Sequence, residues 1–192
     1  MHQFERGFKS WAERTSLSVR REIGLSAEDP LELVRLANCL DVRLATPKDI
    51  PGLPADVLDQ LLLFDPWGWS AVSACEGDVT VVIYNPRHSK ARQSSDITHE
   101  LAHIILGHQP ATIIMSHDGS MVMRSFNERQ EHEANWLAAS LLLPRDALIS
   151  CKQHELTIGD AAHKYGVSEK LVVFRMRITG VDRQWQAATR RR

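Results

Sequence analysis

Two histidines four residues apart, in the stretch SSDITHELAHIILGHQP at residues 94–110, constrain this chain more than any other feature of its sequence. Positions i and i+4 share one face of an α-helix, so His99 and His103 can aim their rings at a single point, with Glu100 beside the first. A pair of rings converging in this way matches the first half of a metal site. A catalytic zinc takes three protein ligands and keeps one position for water. The fold must therefore bring a further ligand to this helix from elsewhere in the chain.

The next residues narrow the search. A third histidine on the same segment, in the pattern H-E-x-x-H-x-x-G-x-x-H, would need Gly at 106 and His at 109, where this chain has Leu106 and Gln109. Gly107 and His108 are each out of step by one. His108 reads as lying just past the helix end, with Gly107 near its C-cap. An acidic ligand on a second helix is then expected, and NERQEHEANWLAASLLLP supplies a helix from about Glu128 to Pro144. Glu131, Ala134, Asn135 and Ala138 fall at i, i+3, i+4 and i+7, on a face whose small residues allow close approach. This face favours Glu131 as third ligand. Glu133, about 160° away around the helix, and Glu128, a turn earlier, are weaker candidates. Asn135 is placed to hydrogen-bond the outer nitrogen of a metal-bound histidine. His108, His117, His132 and Tyr165 are chemically able to donate to a transition-state oxyanion, and spacing singles out none of them.

Around this pair of helices the chain reads as one α+β body. At 192 residues and 43% hydrophobic it can bury a substantial core. Residues 4–22 suit an amphipathic helix ended by Gly24. Asp29, Pro30 and Glu32 resemble a capped helix start. DVRLATP alternates like a short strand, and PGLPADVLDQLLLF gives turns and then a short helix. WGWSAVSA and DVTVVIYNP read as adjacent antiparallel strands. A polar loop over residues 87–93 leads to an expected Ser94/Ser95 helix cap, and residues 111–130 read as a mobile connection. The expected domains are residues 1–150, a metalloprotease-like body, and residues 151–192, a helical segment packed on the same core.

Within that last segment, LTIGDAAHKYGVSEKLVVFRMRITGV reads as helix, turn and helix, with Ser168 as N-cap. Its second helix is too apolar to present polar groups freely to base edges, so packing against the body is favoured, with Lys170, Arg175 and Arg177 as possible substrate contacts. Charge agrees: 23 basic against 24 acidic side chains give no field that draws the chain to nucleic acid or a membrane. Only Arg190–Arg192 is locally basic, as a solvated tail. Cys39, Cys75 and Cys151 form no C-x-x-C pair and read as reduced thiols, which implies the cytoplasm. No stretch reads as a signal peptide or a membrane span.

The two motifs also carry a family resemblance. ITHELAHIILGH, the later ERQEHEANWLAASLLLP, and a strand ending IYNP ahead of the first helix resemble the ImmA/IrrE family of intracellular zinc metallopeptidases. In layout the likeness extends over residues 30–180. It departs at Trp136-Leu137, where the family usually has an aromatic residue directly before the alanine pair. The resemblance implies a zincin-like fold with a small antiparallel or mixed sheet on the active-site helix. It also implies a Zn2+ site of two His and one Glu, and as substrate a DNA-binding repressor of a mobile element or stress response. On this reading Glu100 takes a proton from the attacking water and passes it to the leaving amine. The rival expectation is a non-enzymatic regulator that binds a protein or DNA through its C-terminal helices.

Overall fold

A computed structural model of the chain describes residues 4–76, 79–108, 114–115, 121–122 and 127–189. His117, Gln109 and the Arg190–Arg192 tail lie outside the described residues, as does most of the 111–126 connection. Within that connection Ile114–Met115 (β4) and Met121–Val122 (β5) pair antiparallel, and residues 128–130 already belong to the following helix.

The first helix, α1 (Phe8–Glu22), lays Ala12 and Val19 into the core, with Gly24 beyond its end at φ +73°. The second begins later than the Asp29-Pro30 signal implies: α2 is Leu33–Cys39, with Glu32 at its N-cap in an extended conformation. The reason is local competition. The Asp29 carboxylate accepts from the Ser26 backbone N–H at 2.7 Å, closing a turn before Pro30. Glu32 pairs with Arg35 instead of reaching back to close a capping box.

Three strands follow, β1 (Val42–Ala45), β2 (Ala71–Glu76) and β3 (Val79–Tyr84). A short helix α3 (Ala55–Asp59), continued as a π-turn over Gln60–Phe64, lies between the first two. The sheet order is β1-β3-β2. β3 runs parallel to β1, with Val42 opposite Thr80, and antiparallel to β2, with Ser73 opposite Val82. The sheet is therefore mixed, and its central Val82 is fully buried.

From β3 the chain enters α4 (Lys90–Ile105), whose N-cap is Ser89, not Ser94 or Ser95. The polar run over residues 90–93 forms the first helical turn because its groups find partners there. The Ser89 hydroxyl accepts from the Arg92 N–H, and buried Gln93 donates to the His88 and Pro86 carbonyls. α4 packs on the sheet and most extensively on α5 (Glu128–Leu142). Leu101, Ala102, Ala134 and Leu137 are completely buried where these helices meet. At 25–30 cal/mol per Å², each large side chain buried there contributes roughly 1.5–3 kcal/mol, which makes this the seam that fixes the two helices in register.

The chain then continues through α6 (Arg145–Gln153), α7 (Ile158–Tyr165), α8 (Glu169–Thr179) and α9 (Val181–Thr189). Between α7 and α8, Gly166 sits at φ +61° and the Ser168 hydroxyl accepts from the Leu171 N–H, giving the helix-turn-helix arrangement its two ends. α8 packs inward through Val172 and Met176, in a cluster that also takes in Leu142 and Leu143 from the end of α5. Arg175 does not face a substrate. It is wholly buried, its Nε donates to the Leu143 carbonyl at 2.9 Å, and its guanidinium pairs with Glu13. A charge this deep is tolerated only with such partners. No helix among the described residues is long and apolar enough to cross a membrane.

Candidate metal centre

The centre is built where α4 crosses α5. His99 and His103, one turn apart on α4, bring their Nε2 atoms within 3.1 Å of each other. Glu131, in the first turn of α5, sets one carboxylate oxygen 3.2 Å from His99 Nε2 and the other 3.6 Å from His103 Nε2. These three residues could hold a metal ion. A tetrahedral ion bound at 2.0–2.1 Å needs ligand atoms about 3.3 Å apart, and the observed separations bracket that value. Two imidazole nitrogens and one carboxylate oxygen also suit a cation of intermediate softness.

Packing explains the convergence. Ala134 and Ala138 on α5 face Leu101 and Ala102 on α4 in the core cluster, so the backbones come close without large side chains between them. Asn127 caps α5, accepting from the Arg129 and Gln130 N–H groups. The cap starts the helix at Glu128, which puts Glu131 in its first turn, level with the histidines.

Glu100 stands beside the ligand set and points to the sheet. Its Oε2 accepts from the Ser73 backbone N–H of β2 at 3.1 Å. β2 is an edge strand, and Ser73 turns this N–H away from β3, which leaves it free to fix a carboxylate from α4. Burial holds His103 below the ordinary histidine pKa, and the neighbouring His99 adds to the effect, while Glu131 and Glu100 pull the other way. Burial and His99 outweigh the two carboxylates and favour the neutral ring, the form with a lone pair to give.

The remaining residues singled out in the sequence are placed differently. The Asn135 side chain is exposed and donates to the Glu131 carbonyl at 2.8 Å, a contact along its own helix. The outer nitrogen of His103 is met instead by His108, Nδ1 to Nδ1 at 2.9 Å. Tyr165 is buried in the C-terminal cluster and its hydroxyl donates to the Glu28 carbonyl, so it is not a donor at this centre. His132 is half-buried, one residue past Glu131. Sequence reasoning missed Ser73, and weighed Glu133 only as a weaker ligand candidate, whereas its carboxylate lies against His108 Nε2 at 3.4 Å. The glycine at 107 carried a usable signal for His108, because a residue just past a helix-ending glycine folds back over the last turn.

Comparison with known proteins places the chain in a family. A peptidase family model, described as the IrrE N-terminal-like domain, matches residues 62–177, well over half of the chain. The chain belongs to this family. It carries a metallopeptidase-like domain, and the family implies a metal at the centre. No curated protein matches the chain. Among solved structures, a Mycobacterium tuberculosis transcriptional regulator aligns with a TM-score of 0.51 at 16% identity. The alignment covers 90% of this chain and 47% of that one, so this chain spans about half the length of that relative. At such identity the likeness is one of fold.

Proposed function

We propose that this chain is a zinc-dependent endopeptidase acting in the cytoplasm on a specific protein, with a DNA-binding repressor as the substrate class. The observation that carries the reading is the meeting of His99, His103 and Glu131 within 3.6 Å, with Glu100 next in sequence to one ligand and anchored on β2. His99, His103 and Glu131 would hold the zinc. When bound, the ion would polarise a water molecule and bring its pKa near neutrality. Glu100 would take a proton at its carboxylate and return it to the leaving amine. A site serving structure alone has no need of a general base beside its first ligand. The repressor assignment draws on the family resemblance, and the cytoplasmic one on three free thiols, two of them exposed.

A second reading, a non-enzymatic regulator that binds a partner through its C-terminal helices, draws on one observation. On α8, Val173 is 52% and Phe174 37% exposed, between exposed Lys170 and Arg177. One experiment separates the two. Wild type and Glu100→Gln, each checked for bound zinc, are incubated with a proteome from cells of the source organism, and new protein N-termini are labelled. The peptidase reading expects discrete new termini from wild type and none from Glu100→Gln at equal zinc content. Identical patterns from the two proteins, or full biological activity of Glu100→Gln in cells, would favour the regulator.

A further inference from the structure

The end of α4 is shaped in a way that metal ligation alone does not require. Gly107 adopts φ +63°. Its N–H bonds the Ile104 carbonyl, and the His108 N–H bonds the His103 carbonyl, both at 3.0 Å. This is the two-bond glycine cap that turns a chain back over its last helical turn. Such a cap usually lays an apolar residue on the turn below. Here it lays His108 on His103, ring centroids 4.9 Å apart and planes inclined at 67°. The His108 side chain is 7% exposed, and its Nε2 lies 3.4 Å from Glu133 Oε2. The other Glu133 oxygen accepts from Arg129 Nε at 2.9 Å, and Arg129 reaches on to Glu5 at 2.7 Å. A buried chain of polar contacts thus runs from His103 through His108 to Glu133, steadied at its far end by Arg129.

The protons in that chain can be assigned. An ionised carboxylate only accepts, so Glu133 needs the proton of His108 on Nε2. A neutral His108 then has its lone pair on Nδ1. The contact between the two Nδ1 atoms is a hydrogen bond only if His103 carries its proton on Nδ1. His103 is left with a bare lone pair on Nε2, the atom that faces His99 and Glu131. We infer that His108 and Glu133 are positioning residues that hold His103 in the ring orientation and tautomer needed for metal binding. The inference rests on the metal-site reading above and adds to it two residues beyond the ligands and the general base.

The arrangement makes Glu133→Gln a sharper change than the loss of one charge. Arg129 would keep the amide oxygen, so the amide nitrogen would face His108 Nε2 as a donor and reverse the polarity of the whole chain. His108→Gln retains it, since a side-chain amide can accept from His103 and donate to Glu133.

The test is the affinity of the full-length, metal-stripped protein for Zn2+, by competition with a chelating dye. It is paired with 15N NMR of the imidazole rings before zinc is added. His108→Ala and Glu133→Gln are expected to weaken zinc binding by roughly 10–100-fold, with His108→Gln closest to wild type. The His103 Nδ1–H tautomer should dominate in wild type and His108→Gln and be lost in Glu133→Gln. If His108→Ala does not fold, the two amide variants carry the comparison, because only one of them inverts the hydrogen bonds. Unchanged affinity and tautomer in Glu133→Gln would overturn the inference while leaving the site intact. A wild type that binds no zinc would instead overturn the site reading itself.

Discussion

Replacing Gly107 with Ala tests whether the cap that seats His108 forms as described. An added Cβ would meet nothing within 4 Å, so no clash contributes. What remains is the backbone: at φ +63° a residue with a Cβ is strained by about 1–2 kcal/mol. Part of this is offset, by about 0.4–1 kcal/mol, because alanine also stiffens the unfolded chain. The expected net loss is about 1 kcal/mol. For a domain of this size that lowers Tm by roughly 2–4 °C. Denaturant titration of the metal-free protein measures the energy, and calorimetry the midpoint. Gly107→Asn should lose less, since asparagine tolerates the left-handed region better than alanine. Zinc affinity should fall with Gly107→Ala too, because relaxing φ swings His108 off His103. A Gly107→Ala protein as stable as wild type, or more stable, would refute the cap and with it the route by which His108 reaches the centre.

Two further outcomes follow from the buried charges. Arg175→Ala should cost about 3 kcal/mol in urea unfolding, because it empties a wholly buried site, leaves the Leu143 carbonyl without its Arg175 donor and takes from Glu13 its charged partner, leaving that carboxylate only the Arg145 N–H and the Ser140 hydroxyl. Arg175→Met, which refills the volume, should cost less than Arg175→Ala, and the reverse order would show that the unfilled volume is not part of what Arg175→Ala loses. The metal-free protein should also lose stability as pH falls. His103 and His108 are both held below the ordinary value of 6.5, chiefly by burial. Between that value and their folded-state pKa the unfolded chain binds more protons, so stability is full above the window and declines through it. Denaturation at pH 8 and pH 5.5 should show the decline, and it should shrink in His103→Asn. An equal decline in that variant would assign the effect to other groups.

How much of this was legible in the sequence depends on whether each feature is set locally. The i and i+4 spacing of His99 and His103 and the Glu131–Ala134–Ala138 face follow from helical geometry, so the two site helices could be placed beforehand. The pairing of β2 with β3 was legible for a similar reason: two β-rich runs lie next to each other in the chain. Starts and ends were less so. Asp29 and Ser94 have the right chemistry for helix caps, but neighbouring groups took other partners. Ser26 claimed the Asp29 carboxylate, and Ser89 started α4 a turn early. Long-range satisfaction could not be read at all. Arg175 looked like a surface cation because nothing nearby in sequence says that Glu13, from the first helix, will meet it. Asn135 was assigned to the outer nitrogen on helical spacing alone. The residue that meets it comes from beyond the helix end, by a glycine turn whose direction becomes meaningful only once Glu133 is known to lie across from it.

The central claim is that His99, His103 and Glu131 bind one metal ion, and zinc content tests it most directly. Wild type, His103→Ala and Glu131→Ala would be purified alike, dialysed gently and analysed for zinc against protein concentration. Near-stoichiometric zinc in wild type, with loss in both variants that remain folded by circular dichroism, is the expected result. A wild type that holds no zinc even after resupply, or variants that retain it fully, would contradict the account.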